Sequence, residues 1–133
     1  MIFTFGANEA GVHGAGAALA ARLHHGAVLG QGVGRQGDSY AIPTKGKIRH
    51  GANWGIGRPL PVETIKAYVD DFVKYATEHP ELEFQVTAIG TGHAGYTHEQ
   101  MAPLFADCPA NCSFDTDWKP FLGESRKYWG HVG

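Results

Sequence analysis

Cysteine is scarce in this 133-residue chain, which has only Cys108 and Cys112. Two are too few for a disulfide scaffold, and their spacing matches no usual zinc pattern. Buried, reduced thiols are the expectation. Long apolar runs are missing as well. None approaches the ~18 residues that a membrane span needs. The opening Met1-Ile2-Phe3-Thr4-Phe5-Gly6 lacks the basic and then apolar pattern of a signal peptide and reads as a strand. Neither sign of charge dominates: 11 Lys and Arg stand against 13 Asp and Glu. A generally basic nucleic-acid binder is therefore disfavoured, while a local basic patch remains compatible with the total. No Gly-Lys-Ser/Thr run exists, which excludes a nucleotide P-loop. No pair among the eight His has HExxH spacing, and no Ser sits in a nucleophile elbow. These absences lead us to expect a cytoplasmic, non-membrane protein with no metal and no cofactor.

Glycine is abundant. There are 19, about 14% of the chain against roughly 7% in average proteins. They gather in 6–16, 26–37, 46–57 and 90–95, and none falls between 58 and 89. Glycine serves where backbone turns sharply or approaches a ligand closely, so the pattern suggests ligand-hugging loops on a rigid body.

The elements alternate. Ile2–Ala7 reads as a buried strand, Ala15–His25 as an alanine-rich helix capped by Gly26, and 27–29 as a brief strand. Ser39–Thr44 reads as a strand closed by Pro43. Lys45–Pro61 is a polar excursion, long for a loop and so either functional, as a lid, or mobile. Pro61–His79 carries Ile65, Tyr68, Val69, Phe72, Val73 and Ala76 on one helical stripe, ended by Pro80. Glu83–Ile89 is a strand, Thr97–Phe105 a helix with Thr97 as N-cap, and 111–114 a last strand. The tail 116–133 is aromatic (Trp118, Phe121, Tyr128, Trp129) and is expected to pack on the body. One α/β domain over 1–133 follows.

Two glycine loops stand between a strand and a helix. The first runs Asn8-Glu9-Ala10-Gly11-Val12-His13-Gly14-Ala15-Gly16, the second Gly90-Thr91-Gly92-His93-Ala94-Gly95-Tyr96. Free backbone amides and the positive end of a helix dipole suit a phosphate there. In open α/β sheets, ligands sit beyond the carboxyl ends of the strands, so both loops can face one crevice, with Tyr96 placed to stack on a ring. Gly32-x-Gly34-x-x-Gly37 spells a dinucleotide pattern but precedes a strand, not a helix.

In this order the loops resemble those of the macro domain, the ADP-ribose-binding α/β fold. The strand into Asn8 with Gly11 and His13-Gly14-Ala15-Gly16, then Gly37–Lys45, then Phe84–Tyr96 with its Ile-Gly-x-Gly-x-x-Gly loop carry the likeness over residues 2–114. The resemblance implies a three-layer fold with a mixed central sheet. It implies phosphates on the amides of Gly11–Gly16 and Gly90–Gly95, and Asn8 orienting a ribose. The likeness is strongest to the branch with ADP-ribosyl-glutamate hydrolases and antitoxins that remove ADP-ribose from DNA. There a lysine at a strand end attacks or positions the ribose; Lys45 matches it, with His13 as a second chemical group. The glutamate-specific enzymes carry an aspartate where this chain has Ala94, whereas the DNA-directed branch has a small residue there. The expected ligand is an ADP-ribose-like nucleotide, and the expected acceptors are an ADP-ribosylated protein or nucleic acid. The chain as a whole also looks like small proteins carried by phages, which would act in the bacterial host cytoplasm. Two further readings stand beside the hydrolase: a binding module that sequesters a nucleotide signal, and an interaction protein whose contact surface includes Trp118, Tyr128 and Trp129.

Overall fold

The computed structural model describes residues 1–131. The first strand, β1 (Ile2–Asn8), is the middle of the sheet, and its alternate side chains feed two different cores. Phe3, Phe5 and Ala7 point to one face, where they meet Ala21 of helix α1 (Gly16–His24) and Ala41. Ile2 points to the other, joining Ile42, Phe84 and Val86 under helix α2 (Val62–Glu78). Burial on both faces explains why β1 is a nearly unbroken apolar run rather than an alternating one.

On one side of β1 lies β3 (Ser39–His50), with β2 (Gly34–Gln36) and β4 (Asn53–Pro59) paired antiparallel to it. On the other side follow β5 (Phe84–Val86), β6 (Cys112–Asp115) and β7 (Lys127–Gly130), each parallel to its neighbour. The sheet is therefore mixed but mostly parallel, with helices on both faces: an α/β fold. No helix among the described residues is long and apolar enough to cross a membrane.

The α2 stripe forms as its spacing predicts. Ile65, Val69, Phe72 and Ala76 are fully buried. At about 1.5–3 kcal/mol for each large side chain, this stripe is the main anchor of the layer. Its C-terminal carbonyls, at Ala76 and His79, accept hydrogen bonds from the Asn111 side-chain amide at 3.0 and 3.1 Å. On the opposite face the core is small, because the α1 alanines lie close to the sheet.

Several expected elements are corrected. Residues 27–29 are not a strand. The Val28 amide donates to Gln36 Oε1, and Gln31 N–H donates to the Val28 carbonyl, so the segment is a turn and the strand forms at Gly34–Gln36 instead. Pro43 does not close β3. The ladder steps from Ala7↔Pro43 to Asn8↔Lys45, and the irregularity beside the proline lets the strand continue.

Lys45–Pro61 is not an unstructured loop. It is the outer half of β3 and all of β4, a hairpin whose tip is the turn at Gly51. A Cβ on Gly57 would come within 2.8 Å of the Lys47 nitrogen, so glycine there permits close pairing rather than looseness. The expected strand Glu83–Ile89 is shorter, Phe84–Val86. The helix expected over Thr97–Phe105 splits into α3 (His98–Met101) and a 3₁₀ turn (Ala102–Phe105) containing Pro103, which lacks an N–H to donate. Thr97 caps α3 and, with Gln100, closes a capping box.

The tail does more than pack. After a 3₁₀ turn at Thr116–Trp118 and helix α4 (Lys119–Leu122), it adds β7 to the sheet. Trp118 is fully buried against Phe105 and Phe114.

Candidate functional site

The parallel strands β1 and β5 end on the same side of the sheet, each followed by a predicted site loop, and Lys45 lies within β3 beside the end of β1. The loop after β1 is tied shut by Asn8. Its side-chain nitrogen donates to the Val12 carbonyl at 2.8 Å, and its oxygen accepts from the Val12 N–H at 3.0 Å. Gly30 N–H donates to the Gly11 carbonyl at 2.9 Å, joining this loop to residues 28–31. The Asn8 amide is thus committed to the protein's own backbone.

His13 is wholly enclosed, 0% exposed. Its Nε2 lies 2.9 Å from the Gln31 carbonyl and 3.2 Å from Gln36 Oε1, and its ring stands edge-on to Phe5. Nδ1 is buried with no partner. His13, expected as a second chemical group, thus sits beneath the loop and braces it against Gln31 and Gln36. Gly14, Ala15 and Gly16 are exposed, and α1 starts at Ala15 without a side-chain cap, so its first amides are free of side-chain partners.

The loop after β5 crosses the same strand ends. A Cβ on Gly6 would meet the Gly90 nitrogen at 3.5 Å and the Thr44 hydroxyl at 3.7 Å, which brings β1, β3 and this loop to one point. Inside the loop, Tyr96 N–H donates to the Gly90 carbonyl at 3.0 Å, Gly95 N–H to that of Gly92 at 3.0 Å, and the Thr91 hydroxyl to Ala88 at 2.7 Å. Gly92, His93 and Gly95 are exposed, whereas Gly90 and Ala94 are buried. The Tyr96 hydroxyl donates to the Leu60 carbonyl at 2.5 Å, so this ring brackets the loop to the end of β4.

Lys45 lies beside Asn8 in the sheet register, half-buried, and its carbonyl accepts from the Glu9 N–H at 2.9 Å. Among the described residues its ammonium has no hydrogen-bond or ion-pair partner. Glu9 is the residue that sequence reasoning missed. Its carboxylate accepts from the Tyr68 hydroxyl at 2.5 Å. That bond, with burial and the negative charges of Glu9 and Asp71, pushes the phenol up to about 12. Glu9 follows Asn8 directly, but Tyr68 belongs to the apolar stripe of α2, and only the fold brings the two together. The ends of β1 and β5 thus carry exposed glycines on two loops, with Lys45 on the neighbouring strand and Glu9 in the first loop.

Three other features lie elsewhere. Cys108 and Cys112 are buried free thiols, and hydrogen bonding with Cys112 together with burial raises the Cys108 thiol well above its ordinary value. Asp115, Asp117 and His131 bring side-chain ligand atoms within 4.8 Å of one another. Buried Asp115 is already satisfied there, accepting from the Asp117 N–H at 2.9 Å and pairing with His131 Nδ1 at 2.7 Å. That pairing raises the His131 imidazole above its ordinary value. A surface hollow of about 490 Å³, lined by Ala110, Cys112, Ser125, Arg126 and Lys127, contains none of the predicted site residues. Comparison with protein-family models, with curated proteins and with solved structures finds no match to this chain.

Proposed function

We propose that the region at the carboxyl ends of β1 and β5, beside Lys45 of β3, binds ADP-ribose or a related nucleotide. The observation that carries this reading is the approach of the Gly90 loop to Gly6 of β1 and Thr44 of β3, with Lys45 next to Thr44 and the Asn8–Gly16 loop leaving the end of β1. Exposed residues at Gly14–Gly16 and at Gly92 and His93 favour a diphosphate, since backbone amides and a helix N-terminus stabilise negative charge without burying a counter-ion. Asn8 and His13 act as positioning residues, holding the first loop in shape through Val12, Gln31 and Gln36. If the bound nucleotide is an ADP-ribosyl group on a protein side chain or nucleic-acid base, Lys45 is the group we assign to attack or orient the ribose, as in the branch the sequence resembles. A lysine serves as nucleophile when deprotonated. Ala94 stands where the glutamate-specific enzymes the sequence resembles carry an aspartate, which favours a second reading in which the nucleotide is bound and kept intact.

Calorimetric titration of ADP-ribose, with AMP and NAD as controls, tests the binding. Saturable, micromolar association that is weaker for AMP is expected. No heat with any of them overturns the reading. In an assay with ADP-ribosylated substrates, Lys45→Ala is expected to lower turnover by a hundredfold or more, on the order seen for a lost covalent or acid-base group, and to leave binding in place. Unchanged turnover removes Lys45 from the mechanism, and absent turnover in the parent protein leaves the binding-module reading.

A further inference from the structure

The β3–β4 hairpin carries a charge of the opposite sign to the whole chain. Residues 45–58 hold Lys45, Lys47, Arg49 and Arg58, four of the chain's 11 Lys and Arg, and none of its 13 Asp and Glu. Every residue from Lys47 to Trp54 is exposed, so the outer hairpin is a structured arm with no packing beneath it. Among the described residues no carboxylate pairs with Lys47, Arg49 or Arg58.

The register sorts the arm's side chains. Lys47 stands opposite Ile56 and Arg49 opposite Trp54, which places all four on one face. Ile48 stands opposite Gly55, on the other face. Trp54 is 46% exposed, with Lys47 Nζ 4.6 Å and the Arg49 guanidinium 4.9 Å from its ring centre. The exposed apolar side chains thus do not form one surface for insertion into a membrane. They form an indole plate flanked by two unpaired cations.

We propose that this face binds single-stranded nucleic acid. An unpaired base stacks on Trp54, and Lys47 and Arg49 take the phosphates on either side of it. A stacked base displaces a cation from the ring, and the freed cation is then within side-chain reach of the adjacent backbone. Stacking needs a π-face that a duplex keeps closed, which selects the single strand. The proposal is independent of the nucleotide reading of the crevice, and ADP-ribose that fails to bind leaves it intact.

The test is fluorescence anisotropy of a labelled oligo-dT strand titrated with the whole chain at several salt concentrations. The same strand annealed to its complement, and phosphatidylserine vesicles, serve as comparators. Saturable binding of the single strand that weakens with salt is expected. Trp54→Ala should weaken it on the order of tenfold and Trp54→Phe far less. Lys47→Ala combined with Arg49→Ala should lower the log–log salt slope by about 1.4, the value for two lost phosphate contacts on a single strand. That charge readout stands even if Trp54→Ala disturbs the hairpin. The proposal is overturned by no binding at low salt, by tighter binding of the duplex, by binding to vesicles but not to the strand, or by variants that bind as the parent does.

Discussion

Replacing Gly11 and Gly14 by alanine, one at a time, separates glycines that build the first loop from glycines that serve a ligand. Gly11 has φ +73°, and a Cβ there would lie 2.4 Å from the Gly30 carbonyl carbon and from the Gln31 nitrogen. Both are backbone atoms and cannot swing aside. The positive φ costs an L-residue about 1–2 kcal/mol. Relieving the overlap pushes residues 30–31 about 1 Å away, which opens the Gly30-to-Gly11 hydrogen bond, worth about 1 kcal/mol. The Asn8–Val12 pair and the His13 contact with the Gln31 carbonyl are then strained as well.

A loss of about 3 kcal/mol follows, which for a domain of this size lowers the melting temperature by roughly 10 °C. Gly14 has an ordinary φ, and its Cβ would meet nothing within 4 Å. Gly14→Ala should therefore keep the parent stability to within about 0.5 kcal/mol. If Gly14 serves the ligand, the same substitution should weaken ADP-ribose binding by tenfold or more. Melting by circular dichroism and titration calorimetry on the two variants read out both effects. A Gly11→Ala protein that melts with the parent would refute the steric reasoning.

Two further outcomes are expected. The Tyr68 phenol is held up to about 12 in the folded state against an ordinary 10. Its stabilising contribution is complete below about pH 10 and is lost as pH rises through 12. Glu9→Gln should bring the phenol down, seen as earlier tyrosinate absorbance on alkaline titration. Tyr40, raised to about 12 chiefly by burial, stays in place as an internal reference. In the main core, Trp118→Ala should cost about 3–5 kcal/mol, measured by denaturant unfolding. Trp118→Phe should cost less, since it keeps the ring packing on Phe105 and Phe114 and gives up chiefly the indole hydrogen bond to His98.

The elements most legible in the sequence were those set by local rules. The α2 stripe at spacings of three and four, the strand at Ile2, the Thr97 cap and the turn at Gly90–Tyr96 needed no knowledge of distant partners. The hairpin was not legible, because its glycines read as looseness. At Gly57 the cause is a neighbouring strand that lies close in space and ten residues away in sequence. β7 escaped for a related reason. Lys127–Gly130 has little strand character alone and is held by pairing with β6. In the candidate site, the glycine loops were read from strand–loop–helix order, and Lys45 came from the resemblance alone. The partners that fix their roles could not be read in either way. Asn8 to Val12 is a turn closure, His13 to Gln31 and Gln36 spans a loop, and Glu9 to Tyr68 joins residues 59 apart in sequence.

The strand order also bears on how the chain is assembled as it is made. β1 is synthesised before any of its neighbours, yet it occupies the centre of the sheet. β2 and β3 arrive as an adjacent antiparallel pair and dock on one side of it. On the other side β5, β6 and β7 appear in the same order as they lie, each adding to the outside of the strand before it. At no stage does a new strand have to wedge between two that are already paired. The growing sheet keeps one free edge ready for the next segment. A ribosome can thus release this fold outward from its middle, with every parallel pairing formed against a partner already in place.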